Sequence, residues 1–88
     1  MIQKQGIYYK ATHMKGGGWL DLWDKDRESV DSVKKAIDAA NKQAINAGWR
    51  AERYVITRVV WENIFDDEHN FIHSFESETA LEHYPETI

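Results

Sequence analysis

Residues 29–48 read SVDSVKKAIDAANKQAINAG, and this stretch decides the fold class. Apolar residues recur at three- and four-residue spacing from Val30 to Ala47, with lysine, aspartate and asparagine around the other side. Ser29 or Asp26 can accept a hydrogen bond from an unpaired N–H of the first turn, and Gly48 stands where a left-handed residue ends a helix. The pattern predicts one amphipathic helix over residues 30–47.

The chain before the helix predicts a hairpin. Residues 7–14 alternate in the manner of a half-buried strand, and residues 16–18 are three glycines that supply a turn. Residues 19–23 then follow as a second short strand, with leucines on one side and Trp19 and Trp23 on the other. The helix stripe is largely alanine, so the helix is expected to lie close on a flat sheet.

The chain after the helix predicts a second hairpin. Residues 52–65 form a long run rich in valine, isoleucine and aromatics, and residues 71–76 form a shorter one. Between them residues 66–70 are polar and turn-forming. Residues 77–84 are compatible with one helical turn or with an irregular segment.

These elements predict a single α+β domain over residues 1–88, with residues 1–5 and 85–88 as loose ends. The architecture is two-layered ββαββ, one helix packed on a mainly antiparallel four-stranded sheet. This order of elements resembles the β-grasp arrangement of the immunoglobulin-binding domains of protein G. A likeness in element order implies a fold and no function.

Size and composition limit the supports available to this fold. A chain of 88 residues buries a small core, and the absence of cysteine removes disulfides and weakens the case for a zinc site. Oligomerisation remains as a support. The first six residues are polar, and no apolar run reaches transmembrane length. The sequence therefore predicts a cytoplasmic protein.

Charge is divided by position along the chain. Residues 1–58 hold all 11 Lys and Arg against 7 acids, whereas residues 59–88 hold 8 acids and no Lys or Arg. An anionic C-terminal hairpin favours a cationic partner, because complementary charge steers association.

One helix about 10 Å wide cannot cover both faces of a four-stranded sheet, whose strands are roughly 4.8 Å apart. Aromatic side chains on the uncovered face have two explanations. They either cover the open sheet face while remaining partly exposed to solvent, or they form a binding surface for a partner or a second copy. The candidate partner-binding residues are Trp19, Asp21, Trp23, Trp61, Asp66, Asp67 and Glu68.

Single-stranded nucleic acid is an alternative partner, because Lys and Arg lie near aromatic stacking surfaces in the sequence. The residues that carry this alternative are Tyr8, Lys10, Trp49, Arg50, Arg53 and Tyr54. The net charge of −4 opposes phosphate binding. Ordinary solvated cations that protect strand edges explain the same pattern.

Catalytic and metal signatures are weak. His69 and His73 have zinc-finger spacing, but along a strand they lie roughly 13 Å apart and cannot share an ion. The glycines at 16–18 lead into a predicted strand, whereas a phosphate loop leads into a helix. No cysteine and no Gly-x-Ser-x-Gly motif occur. We therefore predict no catalytic residue, no metal and no cofactor.

Two short segments, Lys15-Gly16-Gly17-Gly18-Trp19 and Tyr84-Pro85-Glu86-Thr87-Ile88, carry a further resemblance. With the small size and lack of cysteine, they resemble uncharacterised accessory proteins of tailed phages and prophages. The resemblance implies host-factor modulation or an anti-defence role in the host cytoplasm.

The sequence as a whole predicts a small non-enzymatic interaction protein. It is expected to dock on a protein partner through an aromatic open sheet face and the acidic C-terminal hairpin. A single-stranded nucleic-acid-binding protein and a structural homodimer with no separate ligand are the two alternatives.

Overall fold

The computed structural model describes residues 1–86 as one helix on an antiparallel three-stranded sheet. The strand order is β1-β2-β3, and each strand pairs antiparallel with its neighbour. A short 3₁₀ turn precedes the helix. The elements in chain order are β1 (Ile2–His13), the 3₁₀ turn (Asp24–Arg27), α1 (Val30–Asn46), β2 (Tyr54–Phe65) and β3 (Phe71–Tyr84).

The predicted helix is confirmed to within one residue at its end. The Ser29 hydroxyl accepts a hydrogen bond from the Ser32 N–H at 3.1 Å, which satisfies one of the unpaired donors of the first turn. Gly48 follows the last turn with φ of 84°, a value that other residues adopt only with strain. Both boundaries therefore follow from the residues that the sequence places there.

The core lies between α1 and one end of the sheet. Val33 and Ile37 of α1 are fully buried, and they cluster with Ala11 of β1 and with Tyr54 and Ile56 of β2. Tyr9, Leu20, Leu22, Val30 and Tyr84 pack around the buried cluster of Ala11, Val33, Ile37, Tyr54 and Ile56.

The prediction of four strands in a β-grasp-like sheet is wrong, because residues 19–23 do not form a strand. Trp19 makes one isolated bridge with Thr12, and the pairing stops there. The Trp23 N–H donates to the Asp26 carboxylate at 3.1 Å, and the Trp23 carbonyl accepts from the Asp26 N–H at 2.9 Å. Because local bonds occupy these backbone groups, they cannot continue a ladder. The predicted side-chain alternation still brings Leu20 onto the core.

The predicted second hairpin is confirmed, with its turn at residues 66–70, but both flanking strands are longer than expected. Residues 77–84 are neither a helical turn nor irregular, since β3 continues through an irregularity near Leu81 to Tyr84. Residues 2–5, expected to be loose, belong to β1 and pair with residues 62–65. A β2 strand of 12 residues offers hydrogen-bonding groups along both sides, and these segments use them. Of the other expected loose end, residues 87 and 88 lie outside the described residues.

The long strands make the molecule elongated, with extents of 54 × 22 × 19 Å. A helix of 17 residues is about 25 Å long, whereas a strand of 12 residues is about 40 Å long. Part of the sheet therefore extends past α1.

Candidate docking surface

The part of the sheet beyond α1 consists of residues 1–7 and 60–77, and we call it the distal arm. The rest of the described chain, residues 8–59 and 78–86, is the body. In the arm the β2–β3 hairpin and the first half of β1 form three paired strands. The core contacts of α1 all fall in the body, so both faces of the arm are open.

One face of the arm continues the face that α1 covers. Ile56 and Val60 alternate onto the same side of β2, and Ile7 stands directly opposite Val60. Ile56 is fully buried, whereas Ile7 is 58% and Val60 41% exposed. Phe75, two residues further along β3, is 53% exposed, with the His73 ring edge-on at 4.3 Å. These residues form an apolar surface without a covering layer in the described structure.

The other face of the arm carries three aromatic rings. Trp61 lies against Gly6, where an added Cβ would come within 2.8 Å of the indole. Phe65 and Phe71 make an edge-to-face pair with ring centroids 6.0 Å apart, and the Lys4 ammonium is 5.6 Å from the Phe65 centroid. Phe71 is 61% exposed, so this face is also partly apolar and wet.

The net charge of the molecule resides in the arm. The body carries ten Lys and Arg and ten Asp and Glu, so its side-chain charge is zero. The arm carries one lysine against five acids, so its side-chain charge is −4. The anionic character seen in the sequence is therefore concentrated on the surface that also exposes apolar side chains.

The three acids of the turn at the tip of the arm make different contacts. The Asp66 carboxylate accepts hydrogen bonds from the N–H groups of Asn70 at 2.8 Å and Glu68 at 2.9 Å. The Asn70 backbone bond is the main reason that the pKa of Asp66 lies below its ordinary value. Asp67 pairs with the amino terminus of Met1 at 2.8 Å. Asp66 thus shapes the turn, and Glu68 is exposed at the tip.

Acids of β3 nearer the body face cations of the N-terminal half. The Lys10 ammonium contacts the Glu78 carboxylate across β2, and Lys34 of α1 contacts Glu82 at 2.6 Å. The contact with Glu82 raises the pKa of Lys34. The two oppositely charged halves of the chain therefore neutralise each other in the body, which leaves the excess acid in the arm.

The seven predicted partner-binding residues do not form one surface. Trp61 and the three turn acids lie in the arm. Trp19, Asp21 and Trp23 follow the other end of β1, and all three are exposed. By the strand register, the Trp19 partner Thr12 is ten residues from Ile2, about 33 Å along the sheet. The structure therefore places only four of the seven in the arm, namely Trp61, Asp66, Asp67 and Glu68.

The predicted nucleic-acid residues are also separated. The Tyr8 hydroxyl donates to Glu76 at 3.1 Å, and Lys10 is held by Glu78. Burial, followed by the Glu76 bond, raises the pKa of Tyr8. Tyr54 is buried beside His13, and burial raises its pKa as well.

The remaining members lie at the end of the body opposite the arm. The Arg53 Nε donates to the Pro85 carbonyl at 2.9 Å. Trp49 is 74% exposed, and Arg50 lines two open clefts of 410 and 520 Å³. Asn41 fixes this loop by donating to the Glu52 carbonyl and accepting from the Glu52 N–H.

Sequence reasoning missed Ile7, Val60 and Phe75, which the structure places together on the arm. Ile7 alternates with Tyr9 and Ala11, a pattern that ordinarily indicates core positions, whereas Val60 and Phe75 have polar residues two positions away on either side. The available signal was length, since a run of 14 residues from 52 to 65 is longer than one helix of 18 residues covers.

No family model, curated protein or solved structure matches this chain. Within residues 1–86, no helix combines the length and apolar character needed to cross a bilayer. Among those same residues, His, Asp and Glu side chains do not gather in groups of three or more that would hold a metal ion.

Proposed function

We propose that the protein is a small non-enzymatic interaction protein whose distal arm docks on a cationic surface of a protein partner. The observation that carries the proposal is the coincidence, on the arm, of the whole net charge of −4 with exposed apolar side chains. Complementary charge steers the encounter and sets partner choice, while buried aromatic and aliphatic groups supply most of the affinity.

The exposed apolar side chains of the arm favour burial beneath a binding partner. A few strands gain independent stability by burying one face on a core, as α1 provides in the body. Phe75 on one face of the arm and Phe71 on the other are each more than half exposed, which leaves apolar area in water on both faces. A partner laid on the arm removes this area from water at about 25 cal/mol per Å².

The biological setting follows from the sequence resemblance to accessory proteins of tailed phages and prophages. A protein of this kind acts by binding, through host-factor modulation or as an anti-defence factor in the host cytoplasm. Of the predicted partner-binding residues, Trp61, Asp67 and Glu68 belong to the proposed surface, and Asp66 holds its turn.

Affinity purification with matched variants tests the proposal. One arm variant combines Ile7→Thr, Val60→Thr and Phe75→Thr, which keeps β-forming residues but removes the apolar surface. A second combines Asp67→Asn and Glu68→Gln. The control variant is Trp49→Ala in the body.

We expect one partner to be recovered with the intact protein and the control and lost with both arm variants. The partner, purified alone, must then bind the intact protein more weakly as salt rises. A partner that is lost with Trp49→Ala and retained with the arm variants contradicts the proposal.

Single-stranded nucleic acid remains a second candidate ligand, at the opposite end of the molecule. The observation in its favour is that Arg50 lines both open clefts, with Lys15 in one and exposed Trp49 in the other. A gel shift at low salt with oligo-dT and with RNA tests it, since electrostatic binding is strongest there. The absence of a shift excludes this candidate.

A structural homodimer with no separate ligand is the third candidate function. Contact between two arms would bring −4 against −4, so charge disfavours it. Pairing of one arm with the partner copy's body is the arrangement left open, in a symmetric contact. Light scattering at two salt concentrations tests it, and a monomer at both excludes it.

A further inference from the structure

We infer that the outer edge of β3 binds an extended cationic strand of the partner by β-augmentation. This inference rests on the proposed function and specifies how the arm docks. β3 pairs with β2 along one side, and residues 71–83 are all exposed. In an antiparallel strand alternate residues direct both N–H and C=O outward, so the other side of β3 offers a row of free hydrogen-bonding groups.

The two edges of the sheet are treated differently. Residues 18–20 cover part of the β1 edge, where the His13 N–H donates to the Gly18 carbonyl at 2.7 Å and the Leu20 N–H donates to the Ala11 carbonyl at 3.0 Å. Lys4 stands on the uncovered part of that strand. Proteins commonly block exposed edges with lysine, proline or a covering segment. β3 contains no Lys, Arg or Pro between residues 71 and 84, so its edge is open to pairing.

Charge identifies the occupant as a cationic strand. Glu76 and Glu78 lie on one face of β3, where Glu76 accepts a hydrogen bond from the Tyr8 hydroxyl and has no cationic partner among the described residues, whereas Glu78 contacts Lys10. A second copy is a poor occupant. Two-fold pairing along the length of β3 centres on Ser77 or Glu78, and sets Glu76 opposite Glu78 or Glu78 opposite itself. Like charges directly opposite each other destabilise a sheet.

The strand alternation also specifies the pattern of the partner segment. Cations two residues apart stand opposite Glu76 and Glu78, and an apolar residue on the other face stands opposite Phe75. The peptide TTKTKVTVT, antiparallel to residues 72–80, satisfies this pattern. The peptide TTETEVTVT differs only in its charge and serves as the control.

Peptide binding and amide exchange together test the inference. We expect fluorescein-labelled TTKTKVTVT to bind at least tenfold more tightly than TTETEVTVT in fluorescence anisotropy. We also expect alternate amides within residues 72–80 to exchange more slowly in the complex, because their outward N–H groups become bonded. Equal affinity for the two peptides, or binding without added protection in β3, overturns the inference.

Two proline variants separate edge pairing from other modes of arm docking. Neighbouring residues direct their N–H groups to opposite sides, so one of Ser77→Pro and Glu78→Pro removes an outward donor while leaving the hairpin bonds in place. We expect the variant that retains its circular dichroism spectrum to lose the peptide, while Ser77→Ala retains it. If partner capture depends on the arm but survives in the folded proline variant, arm docking stands and edge pairing is wrong. If neither variant folds, the amide-exchange result decides.

Discussion

Ile7 and Val60 stand directly opposite each other on the sheet face that α1 covers, yet they are 58% and 41% exposed. Four residues earlier on β2, Ile56 faces the same side and is fully buried by the helix. Exposed Arg58 lies between Ile56 and Val60 on that side, and α1 covers the apolar side chains only at the body end of the face. This relationship is the physical basis for expecting a partner on the arm.

Stability of the body depends on the helix–sheet core. Ile37→Ala removes a fully buried side chain and is expected to lower the free energy of unfolding by about 3 kcal/mol. Ile45→Ala, on the same helix but 58% exposed, is expected to change it by less than about 0.5 kcal/mol. Urea denaturation measures both. Equal losses for the two variants would show that α1 does not pack as described.

Gly6 is required for the position of Trp61. Gly6→Ala places a Cβ within 2.8 Å of the indole, so the ring must move away and become more exposed. In a background with phenylalanine at the other three tryptophan positions, we expect the Trp61 emission to shift to longer wavelength. Gly18→Ala is the control, because its added Cβ meets the His13 ring at an ordinary 3.5 Å. An unchanged emission in Gly6→Ala would contradict the packing.

Asn41 ties the helix to the loop that precedes β2. Asn41→Ala leaves the Glu52 N–H and carbonyl without their side-chain partner, and we expect a loss of about 2 kcal/mol in unfolding free energy. Faster amide exchange at Glu52 should accompany it. Gln43→Ala, at an exposed position of the same helix, should leave both quantities near those of the intact protein. An Asn41→Ala variant with unchanged unfolding free energy and unchanged amide exchange at Glu52 would show that this loop is held by other contacts.

The tip turn is expected to weaken in acid. Hydrogen bonds from Asn70 and Glu68 hold the pKa of folded Asp66 below its ordinary value, whereas the unfolded chain has the ordinary value of about 3.9. The stabilisation from this carboxylate is therefore present above about pH 4 and is lost as the pH falls through the folded pKa. Between about pH 2 and pH 6, the unfolding free energy of Asp66→Asn should fall less steeply than that of the intact protein. Urea denaturation at several pH values measures both slopes, and a slope for Asp66→Asn that matches the intact protein would contradict the role of its carboxylate.

Local signals predicted the helix and the second hairpin well. Ser29, the apolar spacing of α1 and Gly48 act within a few residues of one another, and the structure follows them closely. Residues 19–23 show where such signals fail. Their alternation is correct for Leu20 and Leu22, but the competing bonds between Trp23 and Asp26 are invisible to a period-two pattern.

The candidate site was harder to predict because it depends on register and relative length. Grouping Ile7, Val60 and Phe75 requires knowing which residues face each other across three strands, and where α1 ends along them. The acidic character of the hairpin was visible in the sequence. The concentration of excess acid in the arm was not visible in the sequence. It depends on ion pairs between residues far apart in the chain, Lys10 with Glu78 and Lys34 with Glu82.

Site-specific photo-crosslinking tests the docking role of the arm most directly. A benzophenone side chain replaces Phe75 on the arm or, as the control, Trp49 on the body, and each protein is irradiated in lysate. We predict that position 75 crosslinks to one protein with a cationic surface and that position 49 does not. Crosslinking of that protein only from position 49, or of position 75 only to a second copy of this chain, would contradict the account.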